Sequence, residues 1–559
     1  MKLKLSLLVG GMIMASMASA QDKAPDNWFN LDAGKDKVQG VSTEKMYQEL
    51  LKGKTAKQTV VVAVIDSGVE ADHEDLKDVM WVNNDEIPGN GIDDDKNGYI
   101  DDINGWNFIG GKDGKNVNQD NLEITRLVKF YSDKFAGKNP EDLSKKEKKE
   151  YDKYKKMEED VTKQRENGKQ NYERYKGILE SLNKLEKKMG KSEITAEDLE
   201  GFESDDESLS QAAAIAQNAL SKGSTFEALK ENLQGGIDYF ESKFKYHYNP
   251  DFNPRTIVGD NYFNTYEKGY GNNDVEGPDA GHGTHVAGII AASRGNGVGM
   301  DGVANSVRIM SVRAVPDGDE RDKDVANAII YAVDNGASII NMSFGKGYSW
   351  DKEAVDKAVK YAKKKDVLLI HAAGNDSENN DNTDNFPNDN YEKSGWFSPK
   401  KAKNWLEIGA LSWKGGENSP ATFSNYGKEN VDLFAPGVDI YSTIPDQDYA
   451  SFSGTSMASP VTAGVAAVIR SYYPELTAEQ VKEVLMESVV PLEFDVLKPG
   501  TEEKVPFSDL SVTGGVVNVY KAVFLASKTK GKNKKWKDSP QYKAAGVMPS
   551  MPDDKVIKP

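Results

Sequence analysis

Cysteine is absent from all 559 residues, so no disulfide and no thiolate metal site holds this chain together. Histidine is scarce, five in all, which confines imidazole chemistry near neutral pH to a few positions. Positive charge is outweighed: 71 Lys and Arg against 89 Asp and Glu leave a formal net charge of −18. That is the wrong sign for a protein whose partner is a phosphate backbone. Beyond the N-terminus no run approaches the ~18 apolar residues a membrane span needs. Neither nucleic acid nor, in the mature chain, a membrane is expected as a partner.

What is present begins with a secretory signal. Lys2 and Lys4 precede an apolar run from Leu5 to about Met14, and Ala18-Ser19-Ala20 is a small-x-small cleavage site. Residues 1–20 are the expected signal peptide and the mature chain begins near Gln21. The expected location is outside the cytoplasm, periplasmic or secreted. Export would permit disulfides. Without them, stability must come from the core and from bound metal.

Composition then divides the chain. Residues 21–110 hold "QTVVVAVIDSGVE", whose Thr59–Ile65 run is β-branched and apolar, as in a strand buried on both faces. Residues 111–270 change character. "SKKEKKEYDKYKKMEEDVTKQREN" carries opposite charges at helical spacing. Tyr154, Val161, Gly168, Tyr175, Leu182 and Met189 recur every seventh residue. That pattern fits either a helical hairpin or short coiled coil with a weak middle at Gly168, or a solvated surface helix. From 271 to 525 helical and strand patterns alternate: "DKDVANAIIYAVDNG", "ASIINMSFG", "DKEAVDKAVKYAKKKD", "VLLIHAAGN". The expected fold is α/β, a mostly parallel sheet with helices on both faces, plus an inserted helical subdomain. Such sheets bind substrates at the carboxyl ends of their strands, where "DSG", "SFG" and "AAGN" fall. Residues 526–559 read as a lysine-rich flexible tail.

The stretch "SFSGTSMASPVTAGVAAVI" sets small residues directly before an apolar helix. A Ser or Thr there is either an ordinary N-cap or a nucleophile placed at a helix N-terminus, where unpaired N–H groups favour negative charge. Two of the five histidines lie in "DAGHGTHVAGII", at a glycine-rich turn into an apolar helix, and Asp66 ends the buried strand "VVAVID". A buried carboxylate needs a partner, and an imidazole N–H is a suitable one.

"VVAVIDSGV", "GHGTHVAGI" and "FSGTSMASPVTAG" resemble, in order, the Asp, His and Ser segments of the subtilisin-like serine peptidases, the subtilases. The resemblance covers roughly residues 40–110 and 271–525 and implies that family's sheet sandwich and hydrolysis of protein or peptide substrates. By position it implies Ser456 as nucleophile, His282 as general base and Asp66 as the residue fixing the imidazole. Asn375 becomes the side-chain donor of the oxyanion hole, beside the Ser456 backbone N–H. Ser343, Phe344 and Gly345 resemble the strand that pairs with an extended substrate, and Phe386-Pro387 a segment bordering the pocket before the cleaved bond. His285 resembles a packing residue and His73 a loop residue near the aspartate. His371 is expected in the core. His247 has no assigned place.

"GIDDDKNGYIDD" spaces Asp93, Asp95, Asn97 and Asp101 as positions 1, 3, 5 and 9 of an EF-hand-like loop, with Gly98 at the turn. Position 12 is Asn104 rather than a bidentate Glu. A structural calcium is expected from those four residues, and no cofactor for the chemistry itself. Two departures from the family stand out. Gln21–Lys57 supplies only 37 residues before the first strand, shorter than the prodomain many secreted members carry. Asp66 and His282 lie 216 positions apart, so 111–270 is an insertion, expected to cap the site or to contact a partner. A different class of function, a partner-binding scaffold built on those helices with weak peptidase activity, is weighed against by the completeness of the Asp66, His282, Ser456 and Asn375 set.

Overall fold

The computed structural model describes residues 23–191, 193–393, 399–534 and 536–539. The expected signal peptide lies outside these residues. Thirteen strands are described: β1 Val60–Asp66, β2 Gly105–Asn107, β3 Val307–Arg313, β4 Ile339–Met342, β5 Leu368–Ala372, β6 Trp405–Leu411, β7 Leu433–Pro436, β8 Ile440–Ile444, β9 Asp448–Phe452, β10 Val490–Pro491, β11 Asp495–Leu497, β12 Lys504–Pro506 and β13 Gly515–Val516. Nine form one sheet in the order β10-β13-β7-β6-β5-β4-β1-β3-β2, while β8–β9 and β11–β12 are separate hairpins. Every pairing in the large sheet is parallel except β10–β13.

β1 is buried along its whole length, and its side chains divide by the two-residue period of a strand. Val60, Val62 and Val64 join a core with the helices Gly281–Ala291 and Thr455–Tyr472. Val61, Ala63 and Ile65 join the opposite core, under the helices Asp322–Asp334 and Lys352–Lys364. This is the expected sandwich. Strand order reverses at β1, with β3 on one side and β4 on the other. That switch point opens the crevice where doubly wound sheets bind ligands.

The leading segment belongs to the body. Trp28, Phe29, Val41 and Met46 are fully buried in the first core, and Trp28 Nε1 donates to the Val438 carbonyl at 3.0 Å. The tail departs from expectation over its first residues. Gln480 Nε2 donates to the Lys530 carbonyl at 3.0 Å and the Asn533 N–H to the Glu475 carbonyl at 2.9 Å, so hydrogen bonds hold the chain against the body as far as Asn533.

The insertion leaves the sheet after edge strand β2. Its spine is a 45-residue helix, Lys145–Met189, opened by a Ser144/Glu147 capping box and ended by Gly190 in the left-handed region. The heptad row is largely inward, with Tyr154, Val161, Gly168 and Leu182 buried. Gly168 is no weak joint: a Cβ there would meet Lys243 Cβ at 3.3 Å and Phe244 at 3.4 Å, so the glycine lets the returning chain cross closely. The near end packs with the helix Glu123–Phe135 and with Tyr348 and Trp350 of the body. The far end forms its own small core with the helices Glu207–Ser221 and Phe226–Ser242. The partners are thus short helices, and the long helix meets them in sequence along its length.

Candidate active site

Asp66 is the last residue of β1, Ser343 follows β4 and Asn375 follows β5, so the parallel topology brings all three to one rim. His282 enters there on the first turn of the helix Gly281–Ala291. Gly283 must be glycine, because a Cβ would sit 2.1 Å from the Gly68 carbonyl oxygen. His282 Nδ1 lies 2.7 Å from Asp66 Oδ1. A proton held on Nδ1 by the carboxylate leaves Nε2 as the free acceptor. The Ser67 N–H also donates to Asp66 Oδ1, at 2.8 Å. Asp66 is 2% exposed and its Oδ2 has no hydrogen-bond partner. Burial disfavours the His282 imidazolium, but the charge and hydrogen bond of Asp66, helped by Asp279, outweigh it and hold the pKa above the ordinary histidine value.

Ser456 is the second residue of the helix Thr455–Tyr472, where a backbone N–H has no intrahelical acceptor. Its surroundings explain the "GTSMASP" pattern. Pro460 lies four residues on and has no N–H to give the Ser456 carbonyl; that carbonyl instead accepts from Ser343 Oγ at 2.9 Å. The exchange is reciprocal, since Ser456 Oγ donates to the Ser343 carbonyl at 3.1 Å. Buried Asn341 braces both elements, donating to Ser343 Oγ at 2.9 Å and accepting from Ser459 Oγ at 2.8 Å. Among the described residues no hydrogen bond joins Ser456 Oγ to His282; the hydroxyl rests on the strand instead.

Asn375 is oriented by a residue that sequence reading passed over. Its Oδ1 accepts from the Thr455 N–H at 2.8 Å and from Thr455 Oγ1 at 3.0 Å. Two donors fix the amide's orientation and leave Nδ2 as the outward donor. Nδ2 faces the Gly454 turn, where an added Cβ would lie 3.6 Å away. Thr455 had a signal of its own, as the residue before the serine, but in sequence it looked only like part of the turn. Phe386 pairs in both directions with Lys346, at 2.8 and 2.9 Å, so the expected pocket border lies directly beside Ser343, Phe344 and Gly345. Asn385 fills the space over Gly345.

The other histidines have structural partners. His285 stacks on Phe452 at 4.3 Å and bonds the Ile440 carbonyl, and burial pushes its pKa down to about 3. His73 is fully buried against the Asp448 carbonyl. His371 lies in the core with both Glu407 oxygens at 3.0 Å. His247 gains a place: its Nε2 is 3.1 Å from Asp317 Oδ1, joining the insertion to the body.

The acidic loop folds differently from the expected ligand set. Asp93 accepts the Asn97 and Gly98 N–H groups, and Asp101 those of Asn90 and Gly91. Both carboxylates are thus used by the turn. Asn97 donates its amide to Asp95 and Asp102. Of the four, only Asp95 joins a compact oxygen group, and its companions are Glu86 and Asp102, with all three contributing oxygens within 4.8 Å of one another. Asp102 is fully buried, and burial together with the Asp95 charge raises its pKa to about 6. Nothing in the loop's spacing pointed to Glu86, which approaches from an earlier turn.

A rim of this kind, at the carboxyl ends of parallel strands beside a reversal of strand order, is where doubly wound α/β sheets carry their sites. The chain belongs to the subtilase family, whose family model, "Subtilase family", matches residues 57–508. The chain is 37% identical over 254 residues to the thermophilic serine proteinase of Bacillus sp. (strain AK1), over 45% of this chain and 54% of that protein. It is 38% identical over 216 residues to subtilisin DY of Bacillus licheniformis, over 38% of this chain and 71% of that one. Among solved structures, the prenylagaramide maturation protease PagA matches at 29% identity with a TM-score of 0.35, over 44% of this chain and 82% of that one. The chain therefore spans about half the length of the thermophilic proteinase it matches. Among the described residues no helix is long and apolar enough to cross a membrane.

Proposed function

We propose that this protein is an exported serine endopeptidase that hydrolyses peptide bonds through Ser456, His282 and Asp66 and an acyl-enzyme intermediate. The observation that carries the reading is the 2.7 Å Asp66–His282 contact on the same rim as a helix-borne serine and a side-chain amide with its oxygen tied back. An extended substrate pairing with Ser343–Gly345 would offer its own N–H to the Ser343 carbonyl. That N–H competes with the Ser456 hydroxyl resting there, and the freed hydroxyl turns to His282 Nε2. Attack on the scissile carbonyl sends the hydroxyl proton to Nε2, and the imidazolium that forms is stabilised by Asp66. The oxyanion develops between Asn375 Nδ2 and the Ser456 N–H. His282 returns the proton to the leaving amine, and water repeats the sequence to release the acyl group.

Three accessory assignments go with this reading. The leader at residues 1–20 directs export. Glu86, Asp95 and Asp102 hold a calcium ion: hard oxygen ligands suit it, and it would offset charges that otherwise repel. The insertion shapes access to the rim, since Tyr348 and Trp350, shortly after the substrate strand, pack into its near end. The central test is labelling with a serine-directed fluorophosphonate. The wild type should react and Ser456→Ala should not; equal labelling of both would overturn the assignment.

A further inference from the structure

A cleft of about 630 Å³ opens beside Gly345 and runs between the body and the insertion. Its insertion side is formed by the apolar Leu122, Ile124 and Tyr248 together with Asp160. Asp160 lies close enough to Tyr248 to help burial push that phenol up to about 12. The opposite side is the loop that follows Asn375 and carries Asp376, Glu378 and Asp384. Among the described residues none of these four carboxylates has a basic partner within ion-pair distance. The one cation lining the cleft is Lys346, 4% exposed and already committed. Its Nζ meets Glu123 at 3.2 Å, Asp322 at 2.8 Å and the Glu320 carbonyl at 2.6 Å. Glu123 belongs to the insertion, so this buried pair also fixes the insertion against the residue that follows the substrate strand.

We propose that the insertion is one wall of the substrate cleft, and that the cleft selects a lysine or arginine side chain on the acyl side of the cleaved bond. The apolar side chains suit the aliphatic stem, and the unpaired carboxylates suit the charged head. The adjoining hollow at His282 has the same sign. It is lined by Asp66, Asp279 and Asp317, and its buried Arg313 spends its donors on the Ser67 and Val117 carbonyls. A net charge of −18 adds long-range attraction for basic peptides.

This rests on the peptidase reading, and the experiment separates the two. Peptides differing only in Lys or norleucine at each of the four positions before the cleaved bond are compared by kcat/KM at low salt. The wild type should favour Lys by about ten-fold at one position, with the ratio shrinking as salt rises. Asp160→Asn, on the insertion, should reduce that ratio, and Asp160→Asn/Glu378→Gln should bring it near one. Anisotropy with the same peptides on Ser456→Ala should give the same order of affinity. Equal or better cleavage of the norleucine peptides overturns the cleft assignment and leaves the peptidase standing. A lysine preference undiminished in Asp160→Asn removes the insertion from the site. Release no faster from the wild type than from Ser456→Ala defeats both readings.

Discussion

Thr455→Val tests whether Asn375 works because it is held. The Thr455 side chain is fully buried; its Oγ1 donates to Asn375 Oδ1 at 3.0 Å and accepts the Gly374 N–H at 3.1 Å. Valine keeps the volume but loses both bonds, while the Thr455 backbone N–H still holds Asn375 at 2.8 Å. One neutral hydrogen bond is worth about 1 kcal/mol net, which at 1.36 kcal/mol per decade is about five-fold in rate. The half-buried Gly374 N–H also loses its acceptor, at about 0.5–1.5 kcal/mol of fold stability, visible as a lower Tm. Removing the oxyanion donor altogether, in Asn375→Ala, costs on the order of 10²–10³ in kcat. Thr455→Val should therefore lower kcat several-fold with KM nearly unchanged, and should lower it no further once Asn375→Ala is present. Steady-state kinetics of the four variants of that cycle measure the coupling. An equal loss from Thr455→Val with and without Asn375 would falsify the positioning role.

The pH profile of kcat/KM should have its acid limb above the ordinary histidine value, because a base must be neutral and Asp66 and Asp279 hold His282 protonated to higher pH. Asp279→Asn should move that limb down. The same raised pKa makes the Asp66–imidazolium pair a stabilising element at low pH, lost as pH climbs through the folded-state value. Chelation should lower Tm in the wild type and leave Glu86→Gln/Asp102→Asn unchanged; at 100 times Kd a bound ion adds about 2.7 kcal/mol. Without the ion, the Asp102 pKa near 6 means the fold holds a proton that the unfolded chain releases near the ordinary aspartate value of 3.8. Stability of the chelated protein should then fall as pH rises between those values, and calcium should matter most above them. Trp28→Ala should cost about 3–5 kcal/mol in a denaturant melt, since the leading segment is part of the main core; a negligible loss would mark it as dispensable.

Much of the frame was legible because parallel strands buried on both faces leave continuous β-branched runs. "VVVAVID" could hardly be anything else, and its terminal carboxylate falls on the rim by topology alone. The family segments pointed to Asp66, His282 and Ser456; Asp66 and His282 meet at 2.7 Å, while the Ser456 hydroxyl rests on the Ser343 carbonyl. The orienting contacts were not legible because they join residues far apart in sequence: Thr455 with Asn375 and Ser343 with Ser456. The acidic loop shows the limit of spacing most clearly. Side chains at 1, 3, 5 and 9 can equally well cap their own turn, and Asp93 and Asp101 do so. Glu86 and Asp95 also accept turn N–H groups; what sets them apart is that their oxygens converge with Asp102 within 4.8 Å, a convergence that spacing does not encode.

The same long-range logic explains how a subtilase sheet tolerates so large an insertion near Asp66. Asn107 of β2, Arg313 of β3 and Asp66 of β1 share one register row at the rim. Arg313 is 1% exposed and among the described residues forms no ion pair; burial lowers its pKa to about 10, so its charge is a standing cost to the fold. The guanidinium offsets that cost through three acceptors: the Ser67 carbonyl at 2.8 Å, Asn107 Oδ1 at 3.3 Å and the Val117 carbonyl at 2.7 Å. Ser67 is the turn that presents Asp66, and Val117 lies on the segment leading from β2 into the insertion's helices. Gly277, with φ of +68°, must lack a side chain here, since a Cβ would lie 2.3 Å from Arg313 Nε. One buried side chain thus fastens the insertion's entry to the turn beside Asp66. Arg313→Met should leave both carbonyls unpaired and loosen the two segments together, raising hydrogen exchange at 67–69 and 117–120 in parallel. Exchange that rises in one segment while the other stays protected would show that they are held independently.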